Sequence, residues 1–292
     1  MTDLSNLTGL EKPLVKLIET IGEGLGVVGN DLFKFDAKQI KRIGEAEAEA
    51  EKVKIIKKAE GEAQAVEILK RGMKRFAIEQ YNKQINLENI IVKSKDYLGD
   101  KVSDEPVTKD WSARFISVAQ EVSREEIQEL LAKILAKEVT NPDSYSLRTL
   151  EIIRNLNRDE LEEFKKFIAL SSINGYFHIN GANREPLAKY GLNFGVFVHL
   201  ADIGLFNPSE NLSIELEIKT SRPSIFNVAA TNFLITSEVD KKFNLGILKF
   251  TEAGMQIFDL LKNESSSPKR KDYIKDFENN ITKNGFKAEK VK

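Results

Sequence analysis

Apolar residues recur at steps of three and four near the start of the chain. Between residues 10 and 28 this spacing places one apolar set on a single helical face. The set consists of Leu14, Leu17, Ile18, Ile21, Leu25 and Val28. Pro13 suits a first helical turn, and glycines become frequent from Gly22 onward. We predict an amphipathic helix over residues 10–28, within an N-terminal segment of residues 1–35.

The next segment, residues 36–98, is dominated by Ala, Glu and Lys, which favour helix strongly. A thin apolar stripe follows it at steps of three and four, without a strict heptad. Such a stripe on a long charged helix needs a partner, either residues 84–98 folded back as a return helix or a second copy of the chain. We expect coiled-coil oligomerisation through Ala50, Val53, Ile56, Ala63, Val66 and Leu69.

A linker composition over residues 99–108 precedes a helical core over residues 109–172. Ser123 with Glu126, and Asn157 with Glu160, have the spacing of capping boxes, and Ser146 can cap the helix between them. The short loops favour antiparallel helix packing.

The pattern changes near residue 176. Residues 212–219 alternate apolar and polar side chains, which predicts a half-buried strand, and further strands follow it. Thr251 is placed to cap a late helix. We therefore predict a mainly α fold with a C-terminal α+β module over residues 176–292. A helix that ends at Gly204 before the strands makes this module winged-helix-like.

Composition narrows the functional classes. The chain has 292 residues, a net charge of −1 and no cysteine, so disulfides and thiolate metal sites are excluded. The balanced charge gives no reason to expect strong nonspecific nucleic-acid binding. Neither a signal-peptide pattern nor an apolar run of about 18 residues occurs, so we expect a cytoplasmic protein.

Motifs for catalysis or cofactor binding are weak. His178 and His199 are the only histidines, and neither has the spacing of a metal or general-base site. Gly24, Gly26 and Gly29 match a dinucleotide-binding pattern but lack the strand that must precede it. We expect no catalytic centre, no cofactor and no metal, although a hydrolase built from Asp, Glu and Ser stays open.

Two segments suggest binding of other kinds. Lys269, Arg270 and Lys271 are a candidate nucleic-acid contact, with a solvated loop as the simpler interpretation. The helix over residues 191–204, which would be the recognition helix of a winged helix, has no Lys or Arg. Residues 10–28 are a candidate for a membrane surface, although packing on the protein's own helices is favoured.

The stretch from Trp111 to Phe164 resembles the bacterial domain-of-unknown-function family 2806. The motif residues that carry the resemblance are Glu138, Asn141, Pro142, Ser146, Arg148, Thr149 and Leu150. The chain departs from the family pattern at Leu131, where Trp is common, and at Lys137 and Asp143, where Gly is common. We expect Arg148 to reach Glu138 across the turn as a buried clamp.

The two ends of the chain are similar to the same family and, more loosely, to the abortive-infection alpha family of phage-defence proteins. This resemblance implies a context of bacterial defence. The leading hypothesis is a non-enzymatic interaction or assembly protein that works as a homo-oligomer or with a partner protein. The alternatives are a nucleic-acid-binding regulator and a peripheral membrane effector.

Overall fold

A computed structural model describes residues 12–25, 63–99, 102–179, 186–209 and 212–291. The chain divides into two compact units, Met1–Arg154 and Asn155–Lys292. The sequence had grouped residues 109–172 as one helical core, so this division assigns the last part of that segment to the second unit.

The described part of the first unit is helical. Its elements are α1 (Lys12–Leu25), α2 (Ala63–Ser94) with a 3₁₀ turn at Lys95–Tyr97, α3 (Lys109–Glu121), α4 (Glu125–Thr140) and α5 (Leu147–Asn155). Both α1 and α2 pack on α3 and α4. The apolar residues of this core include Leu17, Ile18, Ile21, Leu87, Ile90, Ile91, Phe115, Leu131, Ile134 and Leu135, each fully buried.

The course of α2 corrects one prediction. A return helix over residues 84–98 is wrong, because α2 runs without a break from Ala63 to Ser94. No glycine or proline follows Gly72 within it, so nothing in the sequence turns the chain near residue 84. The partner that buries this part of the helix is the pair α3 and α4, against which Leu87, Ile90 and Ile91 pack.

Helix caps follow the sequence in three places out of four. Asn157 and Glu160 form a capping box at α6 (Arg158–Ile168), and Ser146 and Thr251 accept amide hydrogens at the starts of their helices. The predicted box of Ser123 with Glu126 is wrong. The helix begins one residue later than that box requires, after Arg124, and Arg124 makes no side-chain cap.

The second unit contains two small antiparallel sheets. Its elements after α6 are β1 (Tyr176–His178), α7 (Pro186–Lys189), α8 (Phe194–Asp202), β2 (Ser213–Ile218), β3 (Ser224–Val228), β4 (Thr231–Thr236), β5 (Lys241–Lys249), α9 (Glu252–Leu261), α10 (Arg270–Lys283) and β6 (Lys287–Val291). The sheets have the strand orders β1-β5-β2 and β3-β4-β6. Strand β3 was not predicted from the sequence.

Strands β3 and β4 are joined by a turn of two alanines. Ala229 and Ala230 have φ values of 45° and 54°, in the left-handed region that ordinary residues avoid. A two-residue hairpin turn of type I′ has this backbone at both positions, and its twist matches that of the flanking strands.

Aromatic side chains form much of the core of the second unit. Phe164, Phe167, Phe197, Phe206 and Phe250 meet largely edge to face, with centroids 4.8–5.8 Å apart. Helix α9 closes this cluster by a backbone contact. A Cβ atom at Gly254 would lie 2.0 Å from the carbonyl oxygen of Leu205, so only glycine fits there without displacement.

Candidate interaction surfaces

Helix α2 has two halves with different surroundings. In the C-terminal half, Leu87, Ile90, Ile91 and Ser94 are buried on the helical core. From Val66 to Gln80, every residue is half-buried or exposed. Large apolar side chains are nevertheless exposed along the helix: Ile68, Phe76, Ile78, Tyr81, Ile85 and Val92. Several large apolar side chains left exposed on one helix are typical of a protein-binding surface.

The stripe predicted from the sequence is only partly described. Ala50, Val53 and Ile56 lie outside the described residues, and of Ala63 only the helical backbone is described. Val66 and Leu69 are half-buried, and in helical register they share the face of Leu87.

A second apolar stripe, which the sequence reading missed, lies on the opposite face of α2. Ile78, Tyr81, Ile85 and Val92 are 53%, 49%, 36% and 54% exposed. Their steps of three, four and seven align them along the helix. The signal that could have found them is the repeat of β-branched residues at 78, 85 and 92, one heptad apart.

The motif residues between Glu138 and Thr149 surround a buried carboxylate. Glu138 in α4 is 1% exposed, and its two oxygens accept the amide hydrogens of Asp143 at 2.8 Å and Tyr145 at 3.1 Å. Burial raises the pKa of the Glu138 carboxyl to about 7, although both amide hydrogen bonds act in the opposite direction. The role of Glu138 in the described structure is to hold the turn between α4 and α5.

The other motif residues shape the same turn. Asn141 donates its side-chain amide to Ser144 at 2.8 Å, beside Pro142. Ser146 caps α5 and is 3.0 Å from the buried hydroxyl of Thr149. Asp143 has a φ of 64°, in the left-handed region where glycine is less strained than other residues.

The predicted clamp between Arg148 and Glu138 is not formed. The Arg148 side chain is exposed, whereas the Glu138 oxygens are engaged by the turn's own amides. The backbone donors of the turn reach the carboxylate at short distance, so they take the place expected for the guanidinium.

The three basic residues near the start of α10, Lys269, Arg270 and Lys271, have different surroundings. Arg270 donates to the carbonyl oxygen of Ala229, with Nε at 2.8 Å, and thereby braces the β3–β4 turn. Lys269 lies 3.7 Å from Asp272, and Lys271 is exposed. Arg270 is therefore used within the fold rather than held free for a ligand.

The two histidines have different surroundings. His178 is fully buried between Phe226 and Phe277, at centroid distances of 5.0 and 5.7 Å, and among the described residues neither ring nitrogen has a hydrogen-bond partner. Burial lowers the pKa of its imidazole to about 3. His199 is exposed, with its Nε2 2.7 Å from Glu160. Within the described residues, no group of His, Asp and Glu has the arrangement of a metal site.

The apolar face of α1 packs inside the protein. Leu17, Ile18 and Ile21 are buried against α3 and α4. Gly24 belongs to this helix, whereas Gly26 and Gly29 lie outside the described residues. Among the helices that the structure describes, none combines the length and the apolarity needed to cross a bilayer.

Comparison with models of known protein families shows to which family the chain is related. The model of a family described as "Protein of unknown function (DUF2806)" matches residues 70–277, which include most of α2 and the whole turn around Glu138. The chain belongs to this family. The DUF2806 match thus spans parts of both compact units. No curated protein and no solved structure matches the chain.

Proposed function

We propose that this protein is a non-enzymatic bacterial interaction and assembly protein, with α2 as the element that joins it to a second copy or to a partner protein. The observation that carries the proposal is the set of large exposed apolar side chains on α2, of which Phe76 and Ile68 are 61% and 57% exposed.

The energetics favour association through this helix. Complete burial of one large apolar side chain contributes about 1.5–3 kcal/mol, so several along one helix can offset the entropic cost of binding. The C-terminal half of α2 is fixed on the helical core by Leu87, Ile90 and Ile91. A partner would therefore meet a helix that is already folded, and it would lose little further conformational entropy.

The context of anti-phage defence, with a loose likeness to the abortive-infection alpha family, is part of the proposal. It is supported by the similarity of the chain ends to such proteins. A cytoplasmic location and a winged-helix-like second unit complete it. The winged-helix assignment is supported by the element order α6-β1-α7-α8-β2 and the strand order β1-β5-β2, with the hairpin β3–β4 inserted before β5.

Nucleic-acid binding through α8 and α10 and membrane binding through α1 are weaker alternatives. Arg270 is engaged with Ala229, and α8 carries no Lys or Arg. The apolar face of α1 is occupied by the protein's own helices.

The first test is the mass of the purified chain in solution, measured by light scattering across a wide range of concentrations. We expect a defined oligomer. The double substitution Ile68→Glu and Ile78→Glu should lower that mass, because two exposed apolar side chains of α2 are replaced by charged ones.

The matched control carries the same replacements in the other unit, at Ile225 and Val239, which are 70% and 64% exposed. This control should keep the mass of the unchanged chain. A strict monomer at every concentration would contradict self-association, and equal effects of the two pairs would contradict the role of α2.

A further inference from the structure

We infer that α2 pairs with α2 of a second copy of this chain in antiparallel orientation, with Tyr81 at the twofold axis. The inference rests on the proposed function and adds the face, the orientation and the register of the contact.

The apolar part of the contact is the stripe of Ile78, Tyr81, Ile85 and Val92. These residues lie on the face of α2 opposite to Leu87, which is buried in the helical core. The helix can therefore bury one face within its own unit and the other against a second copy. Positions 78, 85 and 92 repeat at seven residues, and Tyr81 follows Ile78 by three, which are the steps of a two-helix seam.

The charged part of the contact runs along the same face. Every seventh residue on either side of Tyr81 is charged, and the series is Glu67, Lys74, Tyr81, Glu88 and Lys95. The signs are reversed about its centre, because Lys74 mirrors Glu88 and Glu67 mirrors Lys95. A copy of this helix running in the opposite direction therefore presents a negative charge to each positive one.

The orientation follows from these signs. In a parallel pair in register, Lys74 would face Lys74 and Glu88 would face Glu88, and like charges in such positions are destabilising. In the antiparallel pair centred on Tyr81, Lys74 faces Glu88, and symmetry repeats the contact. The α-helical rise of about 1.5 Å per residue spaces Glu67, Lys74, Tyr81 and Glu88 evenly, so one register aligns them, and Lys95 follows in the 3₁₀ turn at the end of α2.

A second copy fits this surface because the surface is complementary to itself. The face of Val66, Leu69 and Phe76 lacks that property. It is half-buried at Val66 and Leu69, and Gln80 and Lys83 interrupt it before the buried residues begin. The stripe of Ile78, Tyr81, Ile85 and Val92 thus supplies the apolar contact, and the charged series centred on Tyr81 supplies the direction.

The experiment compares variants of the full chain by sedimentation equilibrium, which gives the dimer dissociation constant. Ile78→Glu should weaken the dimer strongly. Phe76→Glu is the matched control, because Phe76 is at least as exposed and lies on nearly the opposite face of the same helical turn. This control should leave the dimer unchanged.

Charge reversal tests the orientation. Lys74→Glu replaces two attractive contacts by two repulsive ones and should weaken the dimer by about tenfold or more. Adding Glu88→Lys to the same chain should restore the affinity, because each new charge again faces its opposite. The helix content of every variant is checked by circular dichroism, and these exposed positions should leave it unchanged.

Cross-linking gives an independent measure of register. The chain has no cysteine, so each introduced thiol is unique. Lys74→Cys alone should give little disulfide dimer, whereas a mixture of Lys74→Cys and Glu88→Cys chains should give the mixed dimer on oxidation. Tyr81→Cys should form a symmetric disulfide.

Each outcome has one meaning. A wild-type monomer at all concentrations overturns the inference together with self-association in the proposed function. An oligomer that Phe76→Glu disrupts and Ile78→Glu does not, or a symmetric disulfide at Lys74→Cys, overturns the inference alone and leaves assembly through α2 standing.

Discussion

The backbone amide of Asp143 donates to Oε1 of Glu138 at 2.8 Å, and the same Asp143 has a left-handed backbone with a φ of 64°. The turn between α4 and α5 is thus wound around a buried carboxyl group, whose second oxygen accepts from Tyr145. One interaction holds a conformation that the side chain of Asp143 disfavours, so the residues of this turn depend on one another.

The buried Glu138 should make stability depend on pH. Its folded-state pKa is raised to about 7, above the unfolded value near 4.5. The folded state therefore binds the proton of Glu138 more tightly than the unfolded chain does. The stability that this proton contributes is fully present below pH 4.5 and is lost as pH rises through about 7. Glu138→Gln should lower the free energy of unfolding by about 1–2 kcal/mol, because the side-chain NH₂ cannot accept an amide hydrogen.

The measurement is urea unfolding of both chains between pH 5 and 8. The decline in stability across this range should be smaller in Glu138→Gln. The same decline in both chains would show that another group is responsible.

Asp143→Gly should stabilise the protein by about 0.5–1 kcal/mol. A left-handed backbone costs a non-glycine residue roughly 1–2 kcal/mol, and the greater freedom of glycine in the unfolded chain offsets part of the gain. The negative charge of Asp143 also raises the pKa of Glu138, so the pKa of Glu138 should fall in Asp143→Gly. Asp143→Asn is the control, since it removes the charge and tolerates the same backbone. A larger gain for Asn than for Gly in thermal unfolding would contradict the backbone argument.

The alanine turn between β3 and β4 offers a second position where glycine should increase stability. Ala230 is exposed and has a φ of 54°, so Ala230→Gly should raise the unfolding midpoint by relieving that backbone. Ala230→Val should lower it, because a β-branched side chain is poorly tolerated in this region. Thermal unfolding followed by circular dichroism measures both, and an equal shift of both variants would contradict the assignment.

His178 should make the second unit sensitive to acid. Burial lowers its folded-state pKa to about 3, below the unfolded value near 6.5. The unfolded chain therefore binds the proton first, and stability is lost as pH falls below about 6.5, by roughly 1.4 kcal/mol per pH unit until the folded pKa is reached.

His178→Phe should remove this loss while keeping the aromatic contacts with Phe226 and Phe277. The test is chemical unfolding at pH 6.5 and pH 4.5. The variant should lose less stability on acidification than the unchanged chain. The slope has the opposite sign to that of Glu138, so the two groups are separable in one titration series.

Local patterns in the sequence predicted most elements of the fold. The half-buried strand at residues 212–219 was confirmed as β2, and the caps at Asn157, Ser146 and Thr251 were confirmed, because each depends on neighbouring residues alone. The return helix at residues 84–98 was wrong because the burial of Leu87 depends on distant helices. Strand β3 was missed because the adjacent apolar residues Ile225 and Phe226 break the alternation by which β2 was recognised.

The candidate surfaces show the same limit. The sequence singled out Glu138 and the turn that follows it, but not the partners of Glu138, because backbone amides leave no trace in the side-chain pattern. The stripe of Ile78 and Ile85 was missed because a search along the apolar face of α2 follows the residues that become buried. Only the structure separates apolar residues that are covered from those that remain exposed.

The contact between Gly254 and the carbonyl oxygen of Leu205 has a consequence for selection experiments. In a library that replaces each residue in turn, position 254 should lose every substitution, including alanine, while its exposed neighbour Glu252 tolerates many. Which substitutions are tolerated at position 254 therefore indicates whether α9 must pack closely on the backbone of Leu205. A variant in which Gly254 is replaced should disrupt the second unit. Its phenotype is then a reference with which the phenotypes of the α2 variants can be compared.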